Sequence, residues 1–213
     1  MIGIVAHSAR AERAHALMES VGAAYLGMDN GTHGCEANHM RTWRWLAEHD
    51  TSGWCVVLED DAVPIPGFTG ETNQALKHSP HPIVSLYRGH NVNNPAAETA
   101  GLRATRKANE GNACWVTTHV LLHAVAVAIR TEVLPAVLDH IDTIHNRLPI
   151  DESISHWAIR TKTLIAYTHG SLVDHADTPS VIIKHRDKLP RPPGRVAYQL
   201  GAPTTWTDKA VTL

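Results

Sequence analysis

Trp54-Cys55-Val56-Val57-Leu58-Glu59-Asp60-Asp61-Ala62-Val63-Pro64 is the stretch on which the fold reading turns. Five apolar residues run without interruption into three consecutive carboxylates. A short continuous apolar run is the pattern of a strand buried on both faces. Upstream, Ile2 to Ala6 reads as a first strand, and Ala9 to Val21 as a helix rich in good helix formers that Gly22 stops. Ala23 to Met28 reads as a second strand ending in the turn Asp29-Asn30-Gly31. Glu36 to His49 puts Met40, Trp43, Leu46 and Ala47 on one helical face, and Trp54 to Leu58 is the third strand. This β-α-β-α-β order predicts parallel pairing with helical crossovers, the signature of an α/β fold.

Further along, Phe68 to His78 reads as a helix and Pro82 to Tyr87 as a strand. Asn91 to Asn112 is polar and weakly periodic, carries Arg103, Arg106 and Lys107, and is expected to be a long loop. Thr118 to Ile129 is expected to be one β-branched strand, and Thr131 to His140 a helix with Pro135 in its first turn. Pro149 to Lys162 is a helix whose opening acids, Asp151 and Glu152, suit its positive N-terminus. Leu164 to Tyr167 is the last strand. Beyond it the chain turns basic and proline-rich (Lys184, Arg186, Lys188, Pro190, Arg191, Pro192, Pro193, Arg195). The division expected is a single domain over 1–185 and a Pro-rich basic tail over 186–213 with little regular structure.

The chain has 213 residues and a formal net charge of −2, which offers no global field for nucleic acid. No apolar run approaches the roughly 20 residues of a membrane span, and the start lacks the charged onset of a signal peptide. Cys35, Cys55 and Cys114 show no C-x-x-C pairing and read as free thiols in a reducing, cytoplasmic setting. The 16 histidines are scattered and form no H-E-x-x-H.

The acids after the third strand carry the chemistry. Ligands bind at the carboxyl ends of strands in open α/β sheets. Clustered carboxylates repel one another, and a hard cation, Mn²⁺ or Mg²⁺, shared with substrate phosphates offsets that repulsion. An ordinary solvated acidic turn is the alternative. In an extended segment Glu59 and Asp61 point the same way and Asp60 the other. Asp61 is therefore expected as a direct metal ligand, with Glu59 on ribose or metal-bound water. Arg10 and Arg13 follow the first strand and suit a phosphate or a base, or are plain helix arginines. Asp29 ends the second strand and suits a base or ribose, or a turn. Asp151 suits a helix cap or a general base, with Glu152 as its competitor. His175 suits a metal or a structural role, with Asp174 as its competitor.

Four segments together resemble the GT-A-fold glycosyltransferases, especially the family 25 group of lipopolysaccharide glycosyltransferases and collagen galactosyltransferases. Gly34-Cys35 with Asn38-His39 and Trp43 is similar to the family's G-C-x-x-S-H-x-x-x-W helix, with Asn38 in place of Ser. Val57-Leu58-Glu59-Asp60-Asp61-Ala62 is similar to its L-E-D-D form of the D-x-D motif, Leu148-Pro149-Ile150-Asp151 to its P-x-D segment, and Ser171-Leu172-Val173-Asp174-His175 to a late P-S-L-V-x-H segment of bacterial and phage members. The start Val5-Ala6-His7-Ser8-Ala9-Arg10 departs from the family's Leu-x-Arg.

The resemblance implies a GT-A-like (Rossmann-like) mixed, mainly parallel sheet flanked by helices. It also implies Mn²⁺-dependent, inverting transfer from a nucleoside-diphosphate sugar, UDP-linked, to an acceptor hydroxyl. Glu59, Asp60 and Asp61 then take the D-x-D role, Asp151 is the base candidate, and His175 a late metal ligand. Asn38-His39 brace the acidic strand. Small size suits a phage-encoded member acting in the host cytoplasm, on a protein, a glycan or a hydroxylated DNA base. The competing readings are a catalytically inactive nucleotide- or glycan-binding module and a nucleotidyltransferase or phosphohydrolase. For the last, no G-x-x-x-x-G-K-[ST] loop is present.

Overall fold

The apolar runs close into one eight-stranded sheet. The computed structural model describes residues 1–92, 94–144, 148–178 and 194–213. Its elements are β1 (Ile2–His7), a 3₁₀ turn (Ser8–Arg10), α1 (Ala11–Val21), β2 (Tyr25–Asp29), α2 (Cys35–His49), β3 (Trp54–Glu59), β4 (Ala62–Pro64), α3 (Phe68–Lys77), β5 (Ile83–Ser85), α4 (Pro95–Gly111), β6 (Trp115–Thr118), β7 (Ala126–Arg130), α5 (Leu134–Asp142), α6 (Ile150–Thr161), β8 (Ile165–Thr168), β9 (Val173–His175) and β10 (Ala210–Thr212). The sheet order is β10-β6-β8-β5-β7-β3-β1-β2. The β2-β1-β3 half is parallel, as the β-α-β-α-β order predicts. β5-β8 and β10-β6 are also parallel, while β7 runs antiparallel between β3 and β5, and β6 antiparallel to β8. The result is a mixed α/β sheet, mostly parallel, flanked by helices on both faces.

Strand alternation sorts side chains between two cores. Ile4, Val56, Leu58, Val84, Ala126 and Ala128 face α1 and α3. Val5, Cys55, Val57, Ile83, Val127 and Ile129 face α2, α5 and α6. On the second face, Asn38 of α2 reaches under the sheet edge and donates to the carbonyls of Ala6 (3.2 Å) and Gly27 (2.7 Å). A Cβ at Gly27 would collide with Thr42 and crowd Asn38, so glycine there lets α2 close onto β2. Asn38 thus braces β1 and β2, not the acidic strand.

Three expectations are corrected. Asn91–Asn112 is not a loop: it contains α4, opened by Asn94, whose Oδ1 accepts from the Ala97 N–H, with Pro95 in the first turn, and closed by Asn112 in the left-handed conformation. Its buried face is Gly101, Ala104 and Ala108, too small to stand out as a hydrophobic stripe. Thr118–Ile129 is not one strand. The N–H groups of Leu121 and Leu122 bond to Ser155 Oγ (2.7 Å) and Tyr167 OH (2.8 Å) instead of a ladder, so β6 and β7 are separate. The 184–193 part of the basic run lies outside the described residues, but 194–213 packs on the domain instead of trailing from it. β10 adds an edge strand, Trp206 is buried, and Tyr198 covers the buried Arg88 at 4.9 Å. Arg88 in turn bonds Gly101 O (3.2 Å) and Thr105 Oγ1 (2.8 Å), tying that segment to α4. Among the described residues, no helix is long and apolar enough to cross a membrane.

Asn38→Ala removes two buried hydrogen bonds. It is expected to lower stability by about 1–3 kcal/mol. Urea unfolding should show a lower midpoint at unchanged slope; an unshifted midpoint would remove Asn38 as the brace.

Candidate functional site

The three acids sit at the carboxyl end of β3, but not in the arrangement that alternation predicts. β3 ends at Glu59, and Asp60-Asp61 form a turn before β4. Glu59 keeps the parity of Cys55 and Val57 and faces α2, where His39 Nε2 lies 3.1 Å from its Oε1. Asp60 and Asp61 both meet the Arg10 guanidinium, at 2.7 and 2.9 Å. Glu59 and Asp61 therefore do not point the same way, because the turn breaks the two-residue period. The brace that α2 supplies to the acidic strand is His39.

On the Asp60-Asp61 side the chain supplies its own counter-charge. Asp60 also accepts from the His7 N–H (2.8 Å), so both of its oxygens are engaged. Arg13 donates to the Asp61 carbonyl (3.2 Å), so it holds the turn's backbone. β4 pairs antiparallel with β9, setting Ala62 opposite His175. That register brings His175 Nε2 within 3.3 Å of Asp61 Oδ2. Burial would push the Asp61 carboxyl up, but His175 and Arg10 outweigh it and hold its pKa below the usual carboxylate range. Asp61 Oδ1 is buried and has no hydrogen-bond partner among the described residues.

These contacts test the fit of a hard cation. Asp61 Oδ1 is an orphaned anionic oxygen, which fits one. Asp60 has no free oxygen to offer. His175 Nδ1 accepts from the Asp177 N–H (2.8 Å), which leaves the ring proton on Nε2, facing Asp61. In that tautomer His175 is a hydrogen-bond donor to Asp61, not a metal ligand. Asp174 Oδ1 accepts from the His175 and Ala197 N–H groups (both 2.8 Å), a bracing role.

On the Glu59 side, Asp151 lies in the first turn of α6. The cap there is Pro149, without a side-chain bond, so Asp151 is not the cap. Its Oδ1 accepts from the Glu152 N–H (3.0 Å). Burial, and then the neighbouring Glu59 charge, push its pKa up to about 6. Glu152 is exposed. Cys35, read from sequence as a free thiol, is close enough to Glu59 and Asp151 that burial first, and these carboxylates next, push its pKa far above its ordinary value. The signal available for it was the Cys35-x-x-x-His39 spacing, one helical turn on one face.

Asp29 stands apart from both groups. It accepts from the N–H groups of Gly31, His33 and Gly34 (3.0–3.1 Å), as a turn aspartate does. Burial would raise its pKa, and these three donors outweigh that and lower it. It borders an open depression of about 360 Å³ between the β1 and β2 ends, together with Ser8, Asn30, Thr32, His33 and Arg41.

A carboxyl raised from 3.8 to about 6 binds its proton more tightly in the folded chain. Its proton therefore favours the fold most below pH 3.8, and up to about 3 kcal/mol is lost as pH rises through 6. Asp151→Asn removes that loss. The variant is expected to be more stable than the parent by up to about 3 kcal/mol at pH 7, with the difference vanishing at about pH 3. An equal gain at both pH values in urea unfolding would contradict a raised Asp151 pKa.

No protein-family model matches the chain, and no curated protein matches it. Among solved structures, it is similar to a glycosyltransferase involved in the glycosylation of the major capsid of PBCV-1, at 11% identity and a TM-score of 0.39 over 76% of this chain and 77% of that one. A likeness this slight carries no argument about chemistry or family.

Proposed function

We propose that the chain is a metal-dependent, inverting glycosyltransferase that moves a sugar from a UDP-linked donor to an acceptor hydroxyl. The observation that carries this reading is Asp151: a largely buried carboxyl held near 6, facing the acidic end of β3. A base poised near neutral pH suits proton removal from an alcohol. The depression bordered by Asp29 and Arg41 suits the donor's nucleoside, at the strand ends where such ligands bind.

In the step proposed, Asp151 takes the proton of the acceptor hydroxyl as its oxygen attacks the anomeric carbon. The bond from that carbon to the diphosphate oxygen breaks, and UDP leaves with the electron pair. Asp61, through Oδ1, is the residue that would hold Mn²⁺ or Mg²⁺, and such a cation would supply positive charge to the departing diphosphate. Arg10 orders the acidic turn and adds positive charge beside it. Burial first, and then repulsion from Glu59, keep Asp151 basic. The free thiols suit a cytoplasmic setting. Acceptor candidates are a protein, a glycan or a hydroxylated DNA base.

One observation favours a second reading, a non-catalytic nucleotide- or glycan-binding module: Arg10 already neutralises part of the acidic turn from within the chain.

Incubation with a panel of nucleotide sugars, with and without Mn²⁺, followed by detection of released nucleoside diphosphate, separates the two. Mn²⁺-dependent release from one donor is the outcome expected of a transferase, and release or binding of none favours the module. Asp151→Asn is expected to lower turnover by roughly 10²–10⁴-fold with donor affinity unchanged. The parent's rate should fall below pH 6, where Asp151 is protonated. Parallel loss of affinity and turnover would sink the base assignment.

A further inference from the structure

We propose that Cys35, His39 and Glu59 form a second cation site, for a thiophilic divalent ion such as Zn²⁺ or Co²⁺, distinct from the hard-cation position at Asp61. The three come from two rigid elements. Cys35 and His39 stand one turn apart on α2, and Glu59 is the last residue of β3. The Cys35 Sγ, a ring nitrogen of His39 and a carboxylate oxygen of Glu59 all lie within 4.8 Å of one another. Two ligands of a tetrahedral zinc are about 3.4–3.6 Å apart. The His39 Nε2 to Glu59 Oε1 separation of 3.1 Å is already close to such an edge, and the Cys35 sulfur lies within 4.8 Å of both partners.

A second observation points the same way. The His39 side chain is 1% exposed and already turns Nε2 toward Glu59, so its ring nitrogen is aimed into the cluster. The negative charges of Glu36, Glu59, Asp60 and Asp151 also converge on Cys35. That potential attracts a cation.

The donor set decides the class of ion. Sulfur, imidazole nitrogen and one carboxylate suit zinc, cobalt or ferrous iron, whereas Mg²⁺ and Mn²⁺ prefer oxygen throughout. Sequence spacing shows only half of this site, because Glu59 joins it through the sheet. The site itself does not depend on the transferase reading.

The test needs no sugar donor. Co²⁺ titrated into the full chain is expected to give a thiolate-to-cobalt charge-transfer band saturating at one equivalent. The band should vanish in Cys35→Ser, weaken in apparent affinity by roughly tenfold or more in His39→Gln, and persist in Asp61→Asn. A wild-type protein without the band, or an undiminished band in Cys35→Ser, would overturn the proposal. A measurement on the unmutated chain covers any folding defect: Zn²⁺ should slow alkylation of Cys35 by N-ethylmaleimide about tenfold or more, read by mass spectrometry. An unchanged Cys35 rate would equally overturn it.

Discussion

Three carboxylates on three successive residues, at the mouth of a sheet and partly withdrawn from water, cannot all remain ionised without compensation. The chain solves this by splitting them. Glu59 finishes β3 and turns to α2, while Asp60 and Asp61 leave the strand and meet Arg10. Arg10 lies at the exit of β1, the parallel neighbour of β3, so the pairing that builds the sheet also brings the guanidinium to the acids. Arg13 fixes the same turn through the Asp61 carbonyl.

The division produces two environments a few residues apart. On the α1 side, hydrogen bonds from His175 and Arg10 hold Asp61 ionised and leave its Oδ1 open to a cation. On the α2 and α6 side, burial first and then the Glu59 charge raise the Asp151 pKa. Carboxylates pushed in opposite directions by their surroundings are how one site holds both a charge-binding group and a proton acceptor near neutral pH. The two cores enforce the separation, because alternate residues of β3 feed different layers.

Ring-nitrogen chemistry sharpens the roles of two of the buried histidines. His175 has Nδ1 committed to the Asp177 N–H and presents a proton to Asp61. His39 has Nδ1 uncommitted and contacts Glu59 through Nε2. Each stands next to an acid, yet only His39 has a thiol at the same cluster. A sequence reading that ranks histidines by nearness to a motif favours His175; the thiol that α2 places beside His39 favours His39 as a ligand.

Residue order alone was enough for the α/β class, the parallel β2-β1-β3 half and the acids at the end of β3. Uninterrupted apolar runs and helical periodicity are local signals that survive without a partner. Asp151 and His39 were also visible, one in a helix's first turn and the other beside Asn38 on an amphipathic face. Tertiary structure decided the rest. α4 escaped because its buried face is Gly and Ala, where periodicity carries little hydrophobic contrast. β10 and the docking of 194–213 escaped because a short edge strand is defined by its partner, β6. The opposite facing of Glu59 and Asp61 depends on where a strand gives way to a turn. The meeting of Asp61 with His175 depends on the β4–β9 register across more than a hundred residues. The Cys35-His39-Glu59 cluster depends on how α2 lies against β3. The docking of β10, the Asp61–His175 meeting and the Cys35-His39-Glu59 cluster join separate elements, and no short window of sequence contains all of their partners.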